Sequence, residues 1–202
     1  MSLTPISLAD EKRSLRVTAL EKRHGLVAGG ATDAGERLTA NVIGLVQRFA
    51  GSHRVSGFLP IGDEIDLEPA LYQLGQQGLT TCLPVVVKKD QPLIFREWKR
   101  GDGLASGPLT TRHPLESAAA CTPDIVLVPL LAFDLEGYRL GWGGGFYDRT
   151  LAALKSHDKT LVAIGIGFDG QQVDRVPADG HDVAVDWIVT EKRVIEIMKA
   201  GN

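Results

Sequence analysis

From residue 54 onward the chain is punctuated by six short apolar runs: Val55–Leu59, Thr80–Val87, Leu93–Phe95, Ile125–Val128, Leu161–Phe168 and Trp187–Val189. Stretches within them such as VLV and VAIGIG show no polar alternation. A strand with one wet face alternates apolar and polar residues, whereas a strand covered on both faces is apolar throughout, so these runs predict a largely parallel sheet with helices on each side. Helical patterns fall between them at Leu67–Gln77, Phe146–Lys155 and Thr190–Lys199, the last with Thr190 as its cap and Glu191 in its first turn. Two more precede the first strand. Leu8–Leu26 follows an N-cap signal at Ser7 and Asp10, with apolar residues at 8, 15, 19, 20 and 26 and bases between them. Asp33–Phe49 carries Leu38, Val42, Leu45, Val46 and Phe49 at helical spacing and is stopped by Gly51. The expected fold is α/β, a three-layer α/β/α sandwich with a largely parallel central sheet, built as one domain over residues 1–202.

Composition narrows the class of function. With 44% hydrophobic and 23% charged residues the chain reads as globular rather than disordered. Its longest apolar run, Ile125–Phe133, is interrupted by Pro129 and is far shorter than the roughly 20 residues of a membrane helix. The N-terminus, MSLTPISLADEKRSLR, mixes acids with bases and has the pattern of neither a secretory signal nor a transit peptide, which predicts a cytoplasmic protein. A net charge of −3 argues against nucleic acid as a partner, so any bound anion must be held by a local cluster of bases. Cys82 and Cys121 lack CxxC or Cys/His spacing and are expected to be two inert thiols.

The segment RLGWGGGFYDR, Arg139–Arg149, has four glycines in the five positions 141–145, followed by two aromatics, an acid and a base. A surface turn needs fewer glycines than this. The loop lies between a buried strand and a helix start, where unpaired N–H groups and the helix dipole attract anions. It is neither a Walker A loop nor GxGxxG, since no Lys-Ser/Thr follows and the spacing is GxGGG. Arg139 and Arg149 are candidates to neutralise phosphate oxygens, and Asp148 reads equally as a magnesium ligand or as a carboxylate satisfying the helix dipole. Elsewhere Lys12, Arg13 and Arg16 read first as a solvated helix face. Asp182 and Asp186 lie beside a strand, His181 reads as structural, Glu64 as a helix-entry residue, and Phe95 and Trp98 as core.

Several motifs recur together in fixed order: KRSLR at 12–16, FLPIGDEI at 58–65, LPVV at 83–86, PDIVLVPLLAFDLEGYRLGWGGGFYDRTL at 123–151, IGIGFDGQ at 164–171 and VPADGHDVAVDWIVTE at 176–191. In this order the chain resembles the 5-formyltetrahydrofolate cyclo-ligase family, also called methenyltetrahydrofolate synthetase. The resemblance implies a sandwich with topology similar to sugar-phosphate isomerases and CoA transferases. It also implies conversion of 5-formyltetrahydrofolate to 5,10-methenyltetrahydrofolate with ATP and Mg2+, releasing ADP and phosphate. Carried over by motif, Lys12, Arg13, Ser14 and Arg16 contact ATP, as do Arg139, Leu140, Gly141, Trp142, Gly143, Gly144, Gly145, Phe146 and Tyr147. Arg139, Tyr147 and Asp148 are the expected catalytic residues, and Asp148 with Asp182 the metal ligands. Leu59 and Glu64 match substrate contacts, together with Trp142, Gly143, Gly144, Gly145 and Phe146.

The implied partners are a reduced folate and ATP, with no nucleic acid and no membrane, for a monomer or weak homo-oligomer. The sequence departs from the family pattern at LTTRHP, 109–114, where many relatives carry an aromatic-Gly-Ile segment, and at Gly144, where some have Lys. The role of Trp142 stays open. Two other readings stand beside the enzyme: a folate- or nucleotide-binding regulatory protein without turnover, and a sugar-phosphate isomerase of similar topology.

Overall fold

The computed structural model describes residues 6–30, 33–108 and 111–198. Along the chain run α1 (Leu8–Ala28), α2 (Ala34–Val46), β1 (Arg54–Ser56), α3 (Glu68–Gln76), β2 (Thr80–Val85) and β3 (Ile94–Glu97). The hairpin β4 (Leu104–Ser106) and β5 (Arg112–Pro114) follows, then β6 (Ala120–Cys121) and β7 (Ile125–Pro129). A second hairpin, β8 (Ala132–Phe133) and β9 (Arg139–Leu140), leads into α4 (Phe146–His157). The chain closes with β10 (Val162–Ile166), a 3-10 turn at Asp169–Gln171, β11 (Trp187–Val189) and β12 (Val194–Glu196).

Eight strands form one sheet in the order β12-β11-β10-β7-β1-β2-β3-β6. The five central strands are parallel; β12 at one edge and β3 near the other run against them, and β6, paired antiparallel to β3, runs with them again. Alternate residues of one apolar run serve opposite faces. Ile125 and Leu127 join Val55, Ile164 and Ile166 under α2 and α3, against Leu38, Val42, Leu45, Leu71 and Leu74. Val126 and Val128 join Ala163 and Ile188 on the other face, against Leu151 of α4 and Phe95. This two-sided burial is why the runs carry no polar alternation.

Several expectations change in detail. The pattern at Thr190–Lys199 is not a helix: among its described residues, β12 returns antiparallel to β11, and Lys199 lies outside them. The Thr190 hydroxyl accepts hydrogen bonds from the Lys192 and Arg193 backbone N–H groups at 3.1 and 3.0 Å, so the residue read as a helix cap organises a hairpin turn instead. The side chains at 194–196 are suited to a half-wet edge strand, with only Ile195 partly covered. The first strand stops at Ser56, leaving Leu59 beyond it but buried in the core. Trp98 and Phe95 are also core, in clusters on opposite faces of the sheet. Within LTTRHP, residues 109 and 110 lie outside the described residues, and 112–114 form β5. The two thiols are unbonded yet adjacent, with Cys121 donating to Cys82 at 2.8 Å.

The chain leaves β1 toward β2 on one side and β7 toward β10 on the other, so β1 and β7 flank a switch point, where open α/β sheets leave a crevice at the strand C-terminal ends. Gln171 holds this end together. Its side-chain N–H groups donate to the Leu130 and Leu131 carbonyls at 2.9 and 2.8 Å, and its Oε1 accepts from the Phe168 N–H at 2.7 Å. Gln171→Ala strips three buried backbone groups of their partner and is expected to lower stability by about 3 kcal/mol, read from the urea midpoint at unchanged m.

Candidate active site

α1 lies across this end of the sheet, against the 3-10 turn and the β8–β9 hairpin. Its inward stripe is Lys12, Arg16, Ala19 and Arg23, spaced 4, 3 and 4 residues so that all four share one face. Three of the four are bases. Lys12 Nζ donates to Asp182 Oδ2 at 2.6 Å, Arg16 Nε donates to the Gly141 carbonyl at 2.9 Å, and Arg23 Nη1 lies 3.8 Å from Glu64 Oε1. Arg13 and Ser14 are exposed on the opposite face, Arg13 paired with Asp10 at 3.0 Å. The helix thus brings Lys12 and Arg16 to the crevice and leaves Arg13 and Ser14 outside it.

The glycine loop joins β9 to α4. Gly143 has φ +96° and Gly145, the N-cap of α4, has φ +62°, both in the region that favours glycine. A Cβ on Gly143 would stand 3.2 Å from the Arg16 guanidinium carbon, so the close approach of helix and loop also needs the missing side chain. Arg149 turns back on the loop, donating to the Gly144 carbonyl at 2.7 Å and lying 5.3 Å from the Phe146 ring centroid. Leu140, before the loop, is buried.

Arg139 is the buried anchor of this wall, its side chain only 4% exposed. It donates from Nη2 to Asp148 Oδ1 at 2.8 Å and from Nη1 to the Val183 carbonyl. The same Asp148 oxygen accepts the Val183 N–H at 3.2 Å. Asp148 is therefore pinned to the residue that follows Asp182, whose own carboxylate accepts from Lys12 and from the Asp179 N–H. Each of the two acids faces a base, and among the described residues no cluster of three metal-ligating side chains occurs. Asp186 does not join them. It accepts from the Ala163 N–H and pairs with Lys155.

Glu64 closes the opposite wall. The turn after β1 folds so that the Ile61 N–H donates to Glu64 Oε2 at 3.0 Å, while the Trp142 indole N–H donates to Oε1 at 3.0 Å. Burial pushes the Glu64 carboxyl above the usual range, against the opposing pull of the Ile61 and Trp142 hydrogen bonds and of Arg23. Burial and, after it, the charge of Glu64 raise the Tyr147 phenol, while Arg139 works against them, and the side chain packs partly buried against the cluster that holds Val128 and Leu151. Trp142, half-exposed, lies over the crevice with the Arg23 guanidinium 5.4 Å from its ring centroid. Arg23 and Glu64 also share, with Phe58, Pro129, Leu130 and Gln171 among others, the lining of an interstice of about 160 Å³ that leaves no room for a water.

Arg23 was not among the sequence candidates. Its one sequence signal is the spacing 12, 16, 19, 23, which a reading of bases as solvent-facing discards.

The comparisons with known proteins agree along most of the chain. The model of the 5-formyltetrahydrofolate cyclo-ligase family matches residues 9–191. The 5-formyltetrahydrofolate cyclo-ligase of Escherichia coli is 34% identical over 150 residues, covering 72% of this chain and 81% of the relative. That of Mycolicibacterium smegmatis is 31% identical over 197 residues, covering 93% and 97%. Among solved structures, the 5,10-methenyltetrahydrofolate synthetase of Aquifex aeolicus superposes with a TM-score of 0.78 at 31% identity, over 95% of each chain.

Proposed function

The chain belongs to the 5-formyltetrahydrofolate cyclo-ligase family, and on that premise we propose that it converts 5-formyltetrahydrofolate to 5,10-methenyltetrahydrofolate, consuming ATP and releasing ADP and phosphate. The observation that carries the reading is the convergence at one switch point of two α1 bases, the glycine loop that opens α4, and two base-paired acids, beside a buried carboxylate. No acyl-transfer triad is required by this chemistry. A formamide is a weak electrophile with a poor leaving oxygen; transfer of the ATP γ-phosphoryl to that oxygen corrects both, N10 of the folate then attacks the activated carbon within the same molecule, and phosphate departs. The protein's tasks are alignment and charge dispersal.

Lys12 and Arg16 would meet the phosphates from above and the loop N–H groups from below, with Tyr147 donating from the pocket side. Arg139 holds Asp148 in place and adds a fixed positive charge beside the transferring group. The donor set suits Mg2+, which takes one or two carboxylates and completes its shell with phosphate oxygens and water. Asp148 and Asp182 would hold it. When bound, the ion supplies positive charge that offsets the charge developing on the phosphoryl oxygens. Glu64 would accept N–H groups from the amino-pyrimidinone edge of the folate. We assign the reaction to the cytoplasm, where ATP is supplied; among the described residues no helix is long and apolar enough to cross a membrane.

The direct test incubates the purified protein with 5-formyltetrahydrofolate and Mg-ATP and follows the absorbance of the methenyl product alongside ADP. Equal molar release of both supports the reading, whereas bound folate without product points to the regulatory binder. In the same assay Glu64→Gln is expected to raise the KM for the folate by about 10- to 100-fold, because one acceptor oxygen becomes a donor facing a donor, with the KM for ATP little changed.

A further inference from the structure

Arg23 is 2% exposed, and its Nε and Nη1 have no hydrogen-bond partner among the described residues. The nearest carboxylate oxygen, on Glu64, is 3.8 Å from Nη1, beyond hydrogen-bond reach. A buried guanidinium with unmade hydrogen bonds is costly, so its retention calls for a physical reason, and a ligand that takes up the free donors supplies one. Both Arg23 and Glu64 line the same enclosed interstice, so one side presents donors and the other acceptors. The Trp142 indole N–H occupies Glu64 Oε1 and the indole face receives the Arg23 charge, so a flat, N–H-bearing ring already engages both groups.

A ligand that replaces these contacts must be planar, must offer N–H groups to Glu64, and must offer an acceptor to Arg23. The 2-amino-4-oxo-pyrimidine edge has this order: an amino group, then a ring N–H, then a carbonyl oxygen. We propose that Arg23 is a specificity-determining residue that donates to the C4 carbonyl of the folate while Glu64 accepts from the adjacent N–H groups, Trp142 leaving Glu64 as the folate enters. The assignment rests on the folate ligase reading above and names a residue outside the motifs that carry it.

The test compares two ligands on three proteins, by isothermal titration without ATP. The ligands are 5-formyltetrahydrofolate and its 4-amino-4-deoxy counterpart, in which the carbonyl acceptor becomes an amino donor and the adjacent ring N–H becomes a bare nitrogen; the second change falls on Glu64 in all three proteins alike and cancels when they are compared. The proteins are the wild type, Arg23→Gln and Arg23→Lys. Replacing the guanidinium by an amide, which both donates and accepts, is expected to shift the ratio of the two affinities at least about tenfold toward the 4-amino ligand. Arg23→Lys, which keeps the charge and loses the fork, is expected to shift it less, and it carries the comparison should Arg23→Gln fail to fold. A purely structural role weakens both ligands by one factor. An unmoved ratio, in variants of a wild type that binds and converts 5-formyltetrahydrofolate, therefore overturns the role of Arg23 alone. A wild type that binds neither ligand overturns the folate reading itself.

Discussion

Asp148→Asn is expected to lower turnover by two to three orders of magnitude while the protein stays folded. The choice of asparagine follows from the contacts. Asp148 Oδ1 accepts from Arg139 Nη2 at 2.8 Å and from the Val183 N–H at 3.2 Å, and an amide oxygen can accept both. What the variant loses is the charge. With the side chain 28% exposed, the carboxylate is neither at the surface nor sealed off, a position suited to meeting a hydrated cation from the crevice side. Alanine would be a poorer probe, because it takes the buried Arg139 guanidinium's carboxylate partner away and mixes a structural loss with a chemical one. The assay is kcat across a magnesium titration, with the melting temperature as control. Near-normal turnover at limiting magnesium would remove Asp148 from metal binding.

Arg139→Met tests the same wall from the other side. Methionine fills much of the volume of a side chain that is 4% exposed, but it makes neither the bond to Asp148 nor the one to the Val183 carbonyl. Breaking a largely buried pair by removing one partner costs about 3 kcal/mol or more, so the melting temperature should fall by several degrees. A loss of about 100- to 1,000-fold in kcat/KM for ATP is expected in addition, because the segment carrying Asp182 is then tied to α4 only through the Val183 N–H bond to Asp148, and a positive charge is gone from beside the phosphates. If Arg139 acts on turnover by holding Asp148, the double variant with Asp148→Asn should be little slower than the worse single variant. Fully multiplicative losses would mean that the two residues act independently.

Trp142 and α1 show where local reading ends. The glycine loop reads as a candidate anion site from glycine spacing, a preceding buried strand and a following helix, all properties of adjacent residues. Trp142 had no assignable role within the loop, since its partner Glu64 is 78 residues away in sequence. The bases of α1 misled in a different way. Lys and Arg on a helix are solvated far more often than buried, so the apolar residues at 15, 19, 20 and 26 read as the docked face, and they do pack, but the face also includes Lys12, Arg16 and Arg23.

The six apolar strands β1, β2, β3, β7, β10 and β11, their two-sided burial, the helices α1 to α4 and the glycine loop before α4 were legible in the sequence, because periodicity, glycine and cap residues act over a few positions, whereas the short strands of the hairpins and sheet edges were not. Three things belonged to the tertiary structure. One was the hairpin at Thr190, where a hydroxyl that caps a helix equally well closes a turn, and only the free edge of β11 selects between them. Another was the pairing of Lys12 with Asp182 and Arg139 with Asp148. The last was the closed set of Arg23, Glu64 and Trp142. Each depends on which distant side chains meet at the end of the sheet, and a charge becomes a site only when burial removes the water that would otherwise satisfy it.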